Sequence, residues 1–414
     1  MRRVVATLAL VALLAAFSVP AYTHPVGIPI LVDLTHGQSP RGLEIMMKVV
    51  PEAEWYILVR TQEDADALPP VVKALAHEII IGDFSKIDLE KYEIEVVIIG
   101  QPQALFTPEE IATIATWFTS KPGKVLWLAA DSDYPAQGSE TAQQAVNLIA
   151  EAIGAHLRSD YVSVEDPQSM ALKPYRVLGV VTYCEIPELT FGVTKVLFHG
   201  PGAVAWVDDA GNWHKLTLKE KPDNVFIVVT TTEGGTIVEH QAEPTGTTGK
   251  AYEAGETGVF TLLAIEKISV EKGESILIVS GESPYAGYQG GVTWMYKGYR
   301  LSGPQFFRNL ILWATGYMGE LKEYSKLAGL EEKLTAKVKS ELEAKAKELD
   351  KKLEAVKSEV DAKMGEATAK VSKLESEIAA LRSQLSTAQG VAIVAIILAL
   401  GAIALSFMKK PAAK

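Results

Sequence analysis

Two hydrophobic rhythms alternate along the first 160 residues. Short apolar runs of strand length are followed by stretches in which apolar positions return every three or four residues. This pattern predicts strands over 28–34, 55–59, 79–81, 96–99 and 125–129, with helices over 42–50, 64–76 and 140–153. A further helix begins at Pro108: Thr107 is placed to cap it, and Glu110 completes a capping box. Strand–helix alternation implies right-handed crossovers and a mostly parallel, buried sheet. After Tyr175 the texture changes to strand-like runs at 177–181, 195–198, 203–207, 226–230, 237–239, 259–265 and 276–280. Residues 209–212 form a turn, 241–257 read as a long exposed loop rich in Gly, Thr and Pro, and a helix over 304–315 closes the region. The expected fold class is α/β: one open, mostly parallel sheet with a β-rich elaboration at about 185–265. Division into two domains near 160–185 is the second reading.

From 319 to 388 the rhythm is helical throughout. Apolar residues run from Leu327 through Leu342, Leu353, Val360 and Leu374 to Leu385 at a mean spacing near 3.6. The second half alternates threes and fours as a heptad seam does, and the 330–346 stretch steps by four, which locally unwinds a left-handed supercoil. Fourteen basic and fourteen acidic residues occupy the other faces, with one aromatic and no proline. Pairs such as Glu341/Lys345 and Glu359/Lys363 would also support a solitary helix. A lone helix has no use for a continuous apolar seam, so a parallel coiled-coil homo-oligomer is expected.

Both ends are apolar. Met1-Arg2-Arg3, an apolar run over 4–17 and small residues near Ala21 read as a signal peptide over 1–23. Residues 390–408 hold no charged side chain, and Lys409 and Lys410 follow. At about 1.5 Å per residue such a helix just spans a bilayer core of about 30 Å. The expectation is a single-pass membrane protein. Residues 24–318 form an extracellular head, 319–388 a stalk, 389–408 a transmembrane helix and 409–414 a cytoplasmic tail.

The chain of 414 residues has a net charge of −11, and residues 24–318 alone carry 21 basic against 37 acidic groups. An acidic head excludes a general nucleic-acid binder and tolerates cations and neutral sugars. One cysteine excludes an internal disulfide and a Cys-rich metal site. Scarce Asn and a Glu/Lys-rich helix fit a thermophile.

Ligands of open α/β sheets bind at the carboxyl ends of strands. Polar residues cluster at several such ends: Asp33, His36 and Gln38 after the first strand, Gln101 after the fourth, Asp131, Ser132 and Asp133 after the fifth, and Glu282 and Ser283 after a late one. If these strands are parallel, the carboxylates and the imidazole approach one edge and could hold a cation or bind sugar hydroxyls. The competing reading is that strand–loop junctions favour Asp, Ser and Gly for turns and caps. Trp294, Tyr296 and Tyr299 offer either a sugar platform or packing. Cys184 lacks the glycines of a nucleophile elbow, and neither a Walker motif nor a zinc-helix His spacing occurs. No catalytic residue and no cofactor is expected.

The order of these segments resembles the class I glutamine-amidotransferase-like module of the gliding-motility and intraflagellar-transport type. That module is also found in ABC-transporter auxiliary components and archaeal membrane proteins. The resemblance is carried by Asp33–Gln38, Phe106–Glu110, Val125–Tyr134, Asn147–Gly154, Val196–Pro201, Ile278–Ser283 and Phe307–Trp313. It implies a flavodoxin-like sheet without amidotransferase chemistry, since Asp131-Ser132 stands where the nucleophilic Cys belongs. The functional expectation is a non-catalytic cell-surface receptor or scaffold binding a glycan or a surface-layer protein. An ABC-transporter auxiliary subunit is the alternative, and an amidase or hydrolase comes third.

Overall fold

The computed structural model describes residues 27–134, 140–240, 244, 249–288, 290–317 and 319–384. The chain divides into two compact units, Met1–Leu327 and Ala328–Lys414.

In the first unit β1 (Ile28–Asp33), β2 (Ala53–Val59), β3 (Glu78–Ile81), β4 (Val96–Gly100) and β5 (Val125–Ala129) form where the apolar runs predict. Every residue of β1, β4 and β5 is buried, as strands covered on both faces require. The helices between them are α1 (Leu43–Val49), α2 (Gln62–Ala67), α3 (Pro70–Leu75), α4 (Pro108–Ser120) and α5 (Glu140–Ala152). The single helix expected over 64–76 is two short ones. Leu68 and Pro69 each precede a proline and are extended, with ψ of 142° and 139°. The proline ring excludes helical geometry from the residue before it. The α4 capping box is present: Glu110 N donates to Thr107 Oγ1 at 3.2 Å, and Thr107 N donates to Glu110 Oε2 at 2.8 Å.

The β-rich part contains β6 (Leu157–Ser159), β7 (Ser163–Glu165), β8 (Arg176–Val180), β9 (Lys195–His199), β10 (Val204–Val207), β11 (Trp213–Lys215), β12 (Val225–Thr230), β13 (Gly235–Val238), β14 (Thr257–Gly258), β15 (Thr261–Val270), β16 (Gly273–Ser280), β17 (Met295–Tyr296) and β18 (Tyr299–Arg300). α6 (Gly303–Ala314) follows. The exposed loop expected over 241–257 is corrected in its described part. Tyr252 is buried, accepting from Leu216 N at 2.9 Å and donating to Val204 O at 3.1 Å.

Ten strands make one sheet in the order β3-β2-β1-β4-β5-β16-β15-β12-β8-β9. The six from β3 to β16 are parallel and the last four alternate, so the sheet is mixed. The first five run 3-2-1-4-5, whereas a flavodoxin-like sheet runs 2-1-3-4-5. The chain reverses direction across the sheet between β1 and β4. Apolar cores cover both faces: one holds Met46 of α1 with Phe306 and Leu310 of α6, the other Ile114 and Phe118 of α4 with Val146 and Ile149 of α5.

The second unit holds most of α7 (Gly319–Gln384). Glu348/Lys352 and Glu359/Lys363 pair four residues apart at 2.7 and 2.6 Å. Its apolar positions stand in the open: Leu349 and Leu353 are 67% and 66% exposed.

The membrane assignment is corrected here. No helix among the described residues is long and apolar enough to cross a membrane. The expected signal peptide (1–23), transmembrane helix (389–408) and tail (409–414) lie outside the described residues.

Candidate functional site

Parallel β1, β4, β5 and β16 bring all four polar clusters to one edge of the sheet. At the end of β1 the Asp33 carboxylate accepts four hydrogen bonds. Thr35 N (2.9 Å) and Thr35 Oγ1 (2.6 Å) reach Oδ1, while Gln38 Nε2 (2.6 Å) and His36 Nδ1 (3.1 Å) reach Oδ2. His36 Nε2 lies 3.4 Å from Glu110 Oε2, and its ring stacks on Phe106 at 3.6 Å. Burial alone would lower the His36 pKa. The bond to Asp33 and the charges of Asp33 and Glu110 outweigh it, so the pKa is raised.

Beyond β5 and β16, which pair Ala129 with Ser280, stand two buried acids. Asp131 accepts from Gln101 Nε2 at 2.6 Å and from Ser132 N at 2.8 Å. Glu282 accepts from His199 N at 2.9 Å and from Ser283 N at 3.0 Å. Burial raises both pKa values well above the carboxylate range, and the charge of Asp131 adds to the rise for Glu282. Gln101, which bridges from β4, has a left-handed φ of 46°. Asp133 turns the other way, accepting from Ser163 Oγ at 2.5 Å and from His240 N at 2.6 Å. Ser283 Oγ accepts from Tyr285 N at 3.3 Å. These bonds are those of turns and braces, so much of the polar edge is spent on its own architecture.

The edge opens into two cavities. The larger, about 490 Å³, is bounded by Tyr134 and Ser132 after β5, Ser163 and Glu165 of β7, Tyr175 before β8, His199 at the end of β9, and His240 and Tyr288. The smaller, about 290 Å³, sits over the β1/β4 reversal and is lined by Gln38, Arg41, Gln101, Gln103 and again Tyr288. The loop after β9 lies tight against β16. Gly202 N donates to Gly281 O at 2.9 Å, and a Cβ on Gly281 would stand 1.9 Å from Gly202 O. No side chain fits there, and this close approach holds His199 at the cavity wall.

His199 is ringed by Tyr288 at 4.7 Å, Tyr175 at 5.6 Å and Tyr296 at 5.7 Å between ring centroids. Burial, together with the nearby Arg176 and Lys297 charges, lowers its pKa to about 4, so it is neutral at pH 7. Tyr134 meets His240 edge-on at 5.0 Å.

Of the residues singled out from sequence, Ser132 lines the larger cavity and Gln38 and Gln101 the smaller. Asp33, His36, Asp131, Asp133, Glu282 and Ser283 lie beneath or beside them as supports. No cluster of three or more His, Cys, Asp or Glu suited to a metal occurs among the described residues, so the cation reading gains no support. Of the proposed aromatic platform only Tyr296 reaches the site, while Trp294 and Tyr299 face solvent. Tyr175, Ser163, Glu165 and Tyr288 were not legible as site residues. Burial pushes the Cys184 thiol up to about 11.

No family model matches the chain. No curated protein matches it either. Among solved structures it is similar to the "mmIFT52 N-terminal domain", with 11% identity and a TM-score of 0.43 over 69% of this chain and 97% of that one. A likeness that weak carries nothing further. The expected membership of the glutamine-amidotransferase-like family is corrected by these findings, and the expected tie to ABC transporters falls with it.

Proposed function

We propose that the first unit is a carbohydrate-binding head and that α7 gathers copies of it together. The observation that carries the first half is the 490 Å³ cavity walled by Tyr134, Tyr175 and Tyr288 and bordered by the hydroxyls of Ser132 and Ser163 and the carboxylate of Glu165. Its size suits a mono- or disaccharide, and its position at the carboxyl edge of a doubly wound sheet is where such folds take ligands. Sugars present apolar C–H faces to aromatic rings and hydroxyls to small polar groups, and this wall offers both. The reading is non-catalytic. Asp131 and Glu282, the buried acids that follow β5 and β16, are both engaged by backbone amides.

The second half rests on the exposed seam of α7. Burying a Leu or Val side chain is worth about 1.5–3 kcal/mol, and Leu342, Leu349, Leu353, Val356 and Val360 all await a partner of like chemistry. The flanking charges sum to zero, so a second copy meets no net repulsion.

Saturation-transfer NMR of the full chain against a panel of neutral and acidic monosaccharides tests the head. Binding that Y175A and Y288A both abolish supports it. Absence of any bound sugar, or binding indifferent to both changes, overturns it.

A further inference from the structure

Among the cations near the larger cavity, Arg176 is placed unlike an ordinary surface charge. It pairs in register with His199 across β8 and β9, so the two side chains stand next to each other on one face of the sheet. Its guanidinium carbon lies 5.0 Å from the Tyr175 ring centroid and 5.8 Å from that of Tyr296. Among the described residues no carboxylate lies within ion-pair distance of it, and its buried Nε has no hydrogen-bond partner. This occurs in a head with sixteen more acidic than basic groups, where partners are plentiful. Arg176 stands directly behind the cavity wall, next to Tyr175 and in register with His199, both of which line it. A buried donor left unmade costs about 1–3 kcal/mol, so an acceptor arriving in the cavity gains by drawing the guanidinium out to it.

The surroundings fix the charge of that acceptor. His199 is neutral at pH 7, so it adds no charge of its own. Lys297 stands 5.7 Å from the Tyr296 ring centroid, and Arg41 stands 6.0 Å from that of Tyr288. Among the described residues Glu165 is the one acid on the cavity wall. Asp131 and Glu282 behind it resist double ionisation. The end of the cavity at His199 is therefore positive while the opposite end is polar or acidic.

We infer that the sugar bound here carries a carboxylate, received by Arg176, while its hydroxyls face Glu165 and the two serines. This deepens the carbohydrate reading and rests on it. A planar guanidinium matches a carboxylate in a two-point fork, and Tyr175 and Tyr296 flank it at cation–π distance before any ligand arrives. A hexuronate is the simplest sugar of this kind and falls within the cavity volume.

The test titrates the full chain at pH 7 with two matched pairs, glucose with glucuronate and galactose with galacturonate. At least one uronate is expected to bind tenfold or more tightly than its hexose, and added salt shrinks the gap. R176Q is expected to remove tenfold or more of the uronate affinity, with R176K retaining part of it. Should R176Q fail to fold, the methyl ester of the preferred uronate replaces it as the charge-free comparison for the wild-type chain, with the same tenfold loss expected. A hexose bound as tightly as its uronate, a preference that survives R176Q, or an ester bound as well as the acid overturns the inference and leaves the carbohydrate reading standing. Binding of no sugar at all overturns both.

Discussion

The phenolic oxygen of Tyr285 lies 2.6 Å from the carbonyl oxygen of Asp33, to which it donates, and accepts from Gly100 N at 3.1 Å. One buried side chain from the loop after β16 thus ties the ends of β1 and β4 together at the point where the chain reverses across the sheet. Y285F leaves that donor and acceptor without their partner. It is expected to cost about 1–3 kcal/mol, read as a lower denaturation midpoint in urea with an unchanged slope. A midpoint equal to wild type would show the bridge to be idle.

Asp131 and Glu282 give the fold an alkaline weakness. Their folded pKa values are raised, so the folded state holds protons that the unfolded chain releases once pH passes about 4–4.5. Stability through this pair is present at low pH and is lost as pH climbs toward the raised values. The melting temperature of E282Q relative to wild type is expected to rise from pH 5 to pH 8. A difference constant with pH counts against the assignment.

Two histidines at the same edge are expected to titrate in opposite senses. His199, near 4, favours folding above pH 6.5, and that contribution fades as pH falls from 6.5 toward 4. His36 is raised, so its contribution is full below pH 6.5 and fades as pH rises through its folded value. Imidazole resonances followed by NMR separate the two directly. Coincident midpoints near 6.5 would contradict both environments.

Thr107 caps α4, and its partner Glu110 also faces His36. T107A is expected to cost about 1 kcal/mol by chemical denaturation. Because T107A keeps the backbone N–H that holds Glu110 Oε2, the His36 midpoint should stay put while the cap is lost, and a shifted midpoint would show that the hydroxyl also positions Glu110.

Charges placed in the α7 seam should separate the copies. L349D with L353D is expected to reduce the sedimenting mass to that of one chain while the thermal transition of the first unit stays put. An unchanged mass, or a wild-type chain that is already monomeric at tens of micromolar, would end the self-association proposal.

The elements most legible in the sequence are those whose signal is local. Thr107-Pro108 with Glu110 announces α4 by cap chemistry, and the all-apolar runs of β1, β4 and β5 announce a sheet buried on both faces. The break at Leu68-Pro69 was equally local and was overridden by the helical period around it. β6, β7 and β11 have three residues each, too few for any period to register. The cavity wall was hidden for a different reason. Tyr175, His199 and Tyr288 meet because β8 pairs with β9 and the loop after β16 folds over both, and no spacing along the chain encodes such a meeting. The polar clusters at Asp33, Gln101, Asp131 and Glu282 were visible because strand ends mark themselves with Asp, Gln and Gly. Their part in bracing each other was not, since that depends on the insertion of β16 beside β5.

That insertion also sets a schedule for the nascent protein. β5 emerges from the ribosome long before its neighbour β16 has been made. At about 5–20 residues per second the interval is about 7–30 s. Through that time the amino-terminal half presents a fully apolar strand with an unpaired edge, the kind of surface that invites mispairing. Any fragment ending before residue 273 leaves the ribosome without the strand that covers this edge of β5.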